Sequence, residues 1–269
     1  MRRSPLIALL LAAVLAGCGG GSHHETVPAE TMLDSAAAHP IKSANAEIEA
    51  RLRVDGVPRL SGPVTVRLEG PYRSGGGTRI PSFDWRLSAS ALGFPVSGRL
   101  VSTGDNVYLT VYGNQYEVGA PAVAGANARL AEAGGLRLNV RRWLGPARVT
   151  GQDDAGGFDC ERIAAPLRGD AVARDLAPLA EALGVAAPGV SGRAVACVGF
   201  EDRVLHELEL RATFSLSPAD SARVAGATAI HLQADVVLRD VGKAQEFSPP
   251  TGSFRPIQDL FLTLNDLAG

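Results

Sequence analysis

The sequence predicts an α+β fold that is mainly antiparallel β, with a curved sheet and a few helices. Several segments alternate apolar and polar residues with a period of two, which places the apolar side chains on one face. Short turn signals such as Gly113-Asn114 favour an antiparallel meander over a parallel α/β sheet. The predicted helices are short and rich in alanine, so they cover only part of the apolar face. The sheet therefore either curls around a helix as a packed core or leaves an apolar cavity.

Seven segments carry the strand pattern. In the first of them, Ile48 and Leu52 lie on one face, while Glu47 and Arg51 lie on the other. The same alternation predicts strands over residues 46–54, 64–68, 83–89, 107–111, 115–118, 204–214 and 230–238.

Four segments have the pattern of helices. The clearest covers residues 170–183, because Asp170 can cap its first turn and Gly184 follows its end. A short alanine-rich helix is predicted over residues 29–38, and two more over residues 121–134 and 257–267. No linker divides the chain after the first helix, so residues 29–269 are expected to form a single domain.

The N-terminus has the pattern of a bacterial lipoprotein signal. Basic residues at positions 2 and 3 precede an apolar run over residues 6–16, which is too short for a permanent span of about 20 residues. Small residues then lead directly to Cys18. Residues 1–17 are thus predicted to be a cleaved signal, Cys18 to carry acyl chains such as palmitate, and residues 18–28 to form a flexible tether. The alternative is an ordinary secretory signal with an incidental cysteine.

This signal places the domain on the extracytoplasmic face of the bacterial cell membrane, in the periplasm or cell envelope. The remaining cysteines, Cys160 and Cys197, form an even pair, which in an oxidising compartment is most simply a disulfide. Two unpaired buried thiols are the alternative.

The composition and the polar residues predict no enzyme, metal site or cofactor. The net charge is −2 and the basic residues are scattered, which argues against a nucleic-acid partner. Ser191 lacks the spacing of a nucleophile elbow, and Asp153, Asp154 and Asp159 lack that of a calcium loop, so a solvated turn is expected there. The histidines have no metal-ligand spacing, and His206 is expected to share the face of Leu208 and Leu210: they are His23, His24, His39, His206 and His231.

The apolar face is the candidate binding site. Its alternating residues predict the wall of a cavity that shelters acyl chains. The predicted wall residues are Ile48, Leu52, Val66, Leu68, Trp85, Leu87, Leu109, Val111, Leu208, Leu210 and Leu232.

Four segments resemble a known family. They are the signal ending at Cys18, the segment 102–108 running into the turn at 113–114, the segment 149–159, and the ending from residue 232 to the last helix. In this order they resemble the LppX/LprA/LprF/LprG lipoproteins of actinobacteria and, more distantly, the LolA/LolB carriers. The resemblance implies a strongly curved half-barrel closed by helices over an acyl-binding cavity. Cys160 and Cys197 depart from the family pattern, and a disulfide beside the cavity would stiffen one wall.

The resemblance also implies a function. A member of this family is expected to be a membrane-anchored monomer that binds an acyl lipid or glycolipid and helps to carry it across the cell envelope, with an unknown transport partner and no chemical step. Two alternatives stay open: a carrier or chaperone of other lipoproteins, and a structural or sensory surface lipoprotein with a packed core.

Overall fold

The structure is a computed structural model of the chain, and the description covers most of its length. The described residues are 27–57, 62–76, 78–91, 94–132, 140–155, 157–182, 189–223 and 226–260. They contain helices α1 (Ala29–Ala38), α2 (Ala120–Glu132), α3 (Val140–Trp143), α4 (Gly169–Ala182) and α5 (Pro218–Arg223).

Twelve strands form one sheet within the described residues. In chain order they are β1 (Ser43–Asp55), β2 (Val64–Arg73), β3 (Ser82–Ala91), β4 (Phe94–Thr103), β5 (Val107–Val111), β6 (Asn114–Glu117), β7 (Arg148–Ala155), β8 (Phe158–Pro166), β9 (Gly189–Gly199), β10 (Leu205–Ser215), β11 (Ala229–Arg239) and β12 (Arg255–Pro256).

The sheet consists of two meanders joined at a central seam. Its spatial order is β12-β6-β5-β4-β3-β2-β1-β11-β10-β9-β8-β7, so β1 and β11 form the seam and β12 and β7 are the edges. Every neighbouring pair is antiparallel except β12 with β6. The predicted fold class is confirmed: the sheet is mainly antiparallel, curved and unclosed, with few helices.

The predicted elements agree closely with the observed ones. Helix α1 has the predicted bounds, α2 and α4 each begin one residue early, and residues 257–260 are helical. The predicted ends of the second, third and last helices lie outside the described residues. Helices α3 and α5 and strands β4, β7, β9 and β12 were not predicted. The expectation of a solvated turn at Asp153 and Asp154 was wrong, because both lie in β7 and the hairpin turns after Ala155.

The β5–β6 hairpin turns one residue earlier than predicted. Val111 pairs with Asn114, so the two turn residues are Tyr112 and Gly113, with φ angles of 48° and 77°. Positive φ at both central residues is the requirement of a type I′ turn, whose twist matches that of the strands. The turn therefore places a tyrosine where glycine or asparagine is usual.

Two strand glycines allow neighbouring strands to approach each other closely. A Cβ atom at Gly98 of β4 would lie 2.2 Å from the carbonyl oxygen of Thr110 in β5, and one at Gly70 of β2 would lie 2.1 Å from that of Asp84 in β3. No larger residue fits at such a distance without movement of the backbone. Glycine in a strand interior commonly marks such a close approach.

The main core lies at the β7–β10 end of the sheet. Met32 and Leu33 of α1 pack with Ile163 of β8 and with Ala196 and Val198 of β9, all of them buried. Helix α1 also contacts α3, and α4 contacts β9. These helices therefore cover one end of the apolar face of the sheet.

Candidate functional site

The strand register gathers the predicted wall residues on one face of the sheet. Residues directly opposite each other in paired strands lie on the same face. Leu208 is opposite Val236, Val236 is opposite Ile48, and Ile48 is opposite Leu68, which in turn is opposite Leu87. One apolar row thus crosses five strands without a polar side chain.

Parallel rows complete this surface, which we call the apolar face. Leu52 is opposite Leu232, and Trp85 is linked to Leu109 through Leu100 of β4. The register places all the predicted wall residues on the apolar face: Ile48, Leu52, Val66, Leu68, Trp85, Leu87, Leu109, Val111, Leu208, Leu210 and Leu232. That they line a cavity stays a prediction.

The side chains of the apolar face are not completely buried. All the predicted wall residues except Val111 are half-buried, whereas the residues beneath α1, such as Ile163 and Val198, are almost completely buried. Half-buried leucine and valine side chains leave apolar area in contact with solvent, at a cost of about 25 cal/mol for each Å² that stays exposed. The centre of the face is therefore a surface on which an apolar ligand gains by binding.

Trp85 adds one polar group to the apolar face. Its ring stacks on Phe83, with 4.2 Å between ring centroids and 13° between planes. The indole Nε1 is buried and has no hydrogen-bond partner among the described residues. A buried N–H without an acceptor costs about 1–3 kcal/mol. An ester, hydroxyl or carboxylate oxygen of a ligand on this face would be able to accept the missing hydrogen bond.

The opposite face, called here the polar face, is crossed by ion pairs. Arg67 of β2 lies 2.6 Å from Glu47 of β1, and Arg99 of β4 donates to both carboxylate oxygens of Asp84 of β3. Arg162 of β8 contacts carboxylates on both sides, and its hydrogen bond lowers the pKa of Asp153 below the usual value. The pattern of one wet and one apolar face is thus observed across the sheet.

The predicted disulfide between Cys160 and Cys197 is confirmed. It joins the neighbouring strands β8 and β9, and its Cα atoms are 5.4 Å apart. Both cysteines are buried beside Ala155, which pairs with residue 158 on the polar face. The side chains of these two residues lie on the polar face, so the bond does not border the apolar face, and the expected stiffening of one wall stays a prediction.

His206 also lies on the polar side, contrary to its predicted phase. A bulge between Leu205 and Glu207 shifts the register of β10 there. The imidazole is fully buried, stacks on Phe158 at 4.3 Å, and its Nε2 is 2.8 Å from Oδ2 of Asp202. The expectation that it shares the face of Leu208 and Leu210 was therefore wrong, since the period-two count fails across a bulge.

The remaining polar candidates are dispersed. His231 lies on the polar face between Asp55, at 2.8 Å, and Thr213, at 3.1 Å, and its hydrogen bond lowers the pKa of Asp55. His39 bonds a carbonyl of α1, and Ser191 is exposed at the start of β9. Within the described residues no group of three or more His, Cys, Asp or Glu side chains forms a metal-binding cluster. His23, His24 and Cys18 lie outside the described residues.

Leu100 and Phe83 are among the residues of the apolar face that the sequence prediction left out of the site. Leu100 was missed because Pro95 and Gly98 interrupt the strand pattern of β4. Phe83 was recognised as a strand residue but was not assigned to the site. Among the described residues, no helix has the length and apolar character needed to span a membrane.

Similarity to known proteins was found in structure and not in sequence. No family model matches the sequence, and no curated protein matches it significantly. LppX from Mycobacterium tuberculosis is similar in structure, with 10% identity and a TM-score of 0.46 over 82% of this chain and 98% of LppX. LprF from Mycobacterium bovis has 13% identity and a TM-score of 0.48 over 83% of this chain and 97% of LprF.

A LolA superfamily protein from Nitrosomonas europaea is also similar, with 9% identity and a TM-score of 0.26 over 80% of this chain and 96% of its own. The structures found to be similar thus include LppX, LprF and a LolA superfamily protein, which are of the kinds that the sequence resembles.

Proposed function

We propose that this chain is a lipid-anchored envelope protein that binds an acyl lipid or glycolipid on the apolar face and helps to carry it across the cell envelope without a chemical step. In this proposal residues 1–17 are removed, Cys18 is acylated, residues 18–28 form the tether, and residues 29–269 act as one monomeric domain. The domain works on the extracytoplasmic side of the membrane that holds the anchor.

The half-buried apolar rows carry the proposal. A fully packed core would bury Leu52, Leu87 and Leu232 to the same extent as Ile163, yet these residues keep part of their area exposed. Burying acyl chains against them gains about 25 cal/mol per Å². The unpartnered Nε1 of Trp85 supplies one hydrogen bond for the polar end of such a ligand.

The test is lipid binding by the full chain and by two matched variants. Ala50 lies in the middle of the apolar face, between Ala234 and Val66, so Ala50→Phe places a ring where an acyl chain would lie. Ser88→Phe adds the same ring on the polar face and is the control, because Ser88 is exposed and pairs with Arg67.

We expect the wild-type chain and Ser88→Phe to retain lipid in native mass spectrometry and to take up a fluorescent fatty acid. Ala50→Phe should bind the fatty acid several-fold more weakly. A lipid-free mass together with no uptake by the wild-type chain would contradict the proposal and favour a packed structural or sensory lipoprotein.

A further inference from the structure

The charges of the polar face are unevenly distributed along β1 and along strands β7 to β11. At one end of these strands, near Ala155 and Gly199, the exposed charges are mainly acidic, including Asp153, Glu201 and Asp202. The other end is called here the arginine end. It is formed by Arg51, Arg53, Arg148, Arg168, Arg193 and Arg211.

Several arginines of this end lack the partners found elsewhere on the polar face. Arg193 of β9 and Arg211 of β10 are directly opposite each other in the register. Like charges in that position repel. Within the described part of the chain, neither has a carboxylate partner, and the same holds for Arg148 and Arg168. The repulsion is therefore not relieved by any described carboxylate.

An open pocket of about 560 Å³ lies between these arginines. It is lined by Arg51, Arg53, Arg193 and Arg211, and Ser191 adds a hydroxyl group, while the hydroxyl of Thr213 is bonded to His231. Two of the lining arginines already have carboxylate partners, since Arg51 lies 2.7 Å from Glu49 and Arg53 lies 3.2 Å from Asp55, which is also bonded to His231 at 2.8 Å. Arg193 and Arg211 are the two lining arginines without one among the described residues. Guanidinium and hydroxyl donors around one space are the arrangement that binds a phosphate group.

Helix α1 begins at the same end of the sheet. Glu30, in the first turn of α1, accepts a hydrogen bond of 2.7 Å from the backbone N–H of Ala147. Ala147 directly precedes Arg148, the first residue of β7 and a member of the arginine end. The first turn of α1 therefore lies beside Arg148 and at the opposite end of the strands from the acidic residues.

We infer that the arginine end docks on the anionic phospholipid surface of the membrane and takes lipid phosphates into its pocket. The inference rests on the proposed function, in which the N-terminal segment is held in that membrane. Attraction of the arginine end and repulsion of the acidic end together give the sheet a fixed orientation, with its acidic end facing away from the bilayer.

The first experiment measures protection of single arginines in the reconstituted full chain. Vesicles of phosphatidylcholine alone are compared with vesicles that contain about 30% phosphatidylglycerol. Each sample is treated with phenylglyoxal, and adducts are counted by peptide mass spectrometry. We expect Arg193 and Arg211 to react several-fold more slowly on the anionic vesicles. Arg86 of β3, which is exposed outside the arginine end, should not change, and salt of about 0.5 M should abolish the protection.

The second experiment measures vesicle flotation of matched variants. Arg193→Gln/Arg211→Gln should partition about 30-fold less onto anionic vesicles, at roughly fivefold for each arginine near the surface. Arg67→Gln/Arg86→Gln removes the same charge elsewhere on the polar face and should partition like the wild-type chain. Equal reactivity of Arg193 on both vesicle types, or equal loss in both variants, would overturn the inference. Protection of these arginines by inorganic phosphate but not by anionic vesicles would also overturn it.

Failure of the anchor would be recognised separately, from an intact mass without acyl groups on Cys18. A chain without acyl groups that still floats with anionic vesicles, and not with neutral ones, supports the arginine end. One that floats with neither contradicts it. Loss of fatty-acid uptake concerns the apolar face and leaves both arginine readouts unchanged.

Discussion

Substitution of Gly98 provides the sharpest test of the close approach between β4 and β5. In Gly98→Ala the new methyl group would lie 2.2 Å from the carbonyl oxygen of Thr110 and 3.3 Å from Cγ2 of Val111. Ordinary contact begins near 3.4 Å, so β4 and β5 must separate locally by about 1 Å. Overpacking of this kind costs about 1–3 kcal/mol. For a chain of this size the melting temperature falls by about 2–4 °C for each kcal/mol, which gives a decrease of about 2–12 °C.

Gly151 of β7 offers the matched control. A Cβ atom at Gly151 meets no heavy atom within 4 Å, and the residue does not need a left-handed backbone. Gly151→Ala should therefore raise the free energy of unfolding by about 0.4–1 kcal/mol, because alanine restricts the unfolded chain. Both variants are measured by urea unfolding of the full chain, followed by circular dichroism. If Gly98→Ala is as stable as Gly151→Ala, the close approach of β4 and β5 is refuted.

Two further predictions concern the polar face. Removing the disulfide in Cys160→Ala/Cys197→Ala should cost about 4 kcal/mol, since the bond closes a loop with a sequence separation of 37 that contains α4; an unchanged urea midpoint would refute this. Burial raises the pKa of Glu207 above its usual value of 4.5, so the folded chain holds this proton more tightly than the unfolded chain does. At a pH above the raised pKa, the ionised Glu207 side chain destabilises the folded state. Glu207→Gln should therefore raise the melting temperature at pH 7. The difference in melting temperature between Glu207→Gln and the wild-type chain should vanish below pH 4.5, the usual pKa of a glutamate side chain. A difference that grows on acidification would contradict the prediction.

The sequence predicted strands where one face is wet and the other apolar. Strands β1 and β11 show this alternation clearly, because charged residues such as Glu47 and Arg239 lie on one face while the residues that alternate with them, alanine, valine and leucine among them, lie on the other. In β9 the alternation is lost, because Ala196 is buried under α1 while Cys197 is buried in the disulfide on the other face. A strand buried on both faces has no period of two and reads as a plain apolar run.

The candidate site was predictable as a face and not as a set of contacts. Period-two alternation decides which side chains share a face, so Ile48 and Leu232 were assigned correctly to one surface. It does not determine which strands are neighbours, and the arginine end depends entirely on that. Arg193 and Arg211 belong to different strands, and the register alone brings their charges together. The bulge that moves His206 has no signal in the alternation of β10.

We expect the seam between β1 and β11 to form late in folding, because it pairs strands that are far apart in the sequence. Arg239 donates to Glu47 across this seam although the two residues are 192 positions apart in sequence. In the meander β1–β6 and the meander β7–β11 each strand pairs with the next one in the chain, whereas the seam pairs the first strand with the eleventh. Non-local pairing of this kind slows folding, because the entropy of closing a long loop is lost before any contact forms. We therefore expect the seam to pair after the two meanders have formed, and until then β1 and β11 are unpaired edges.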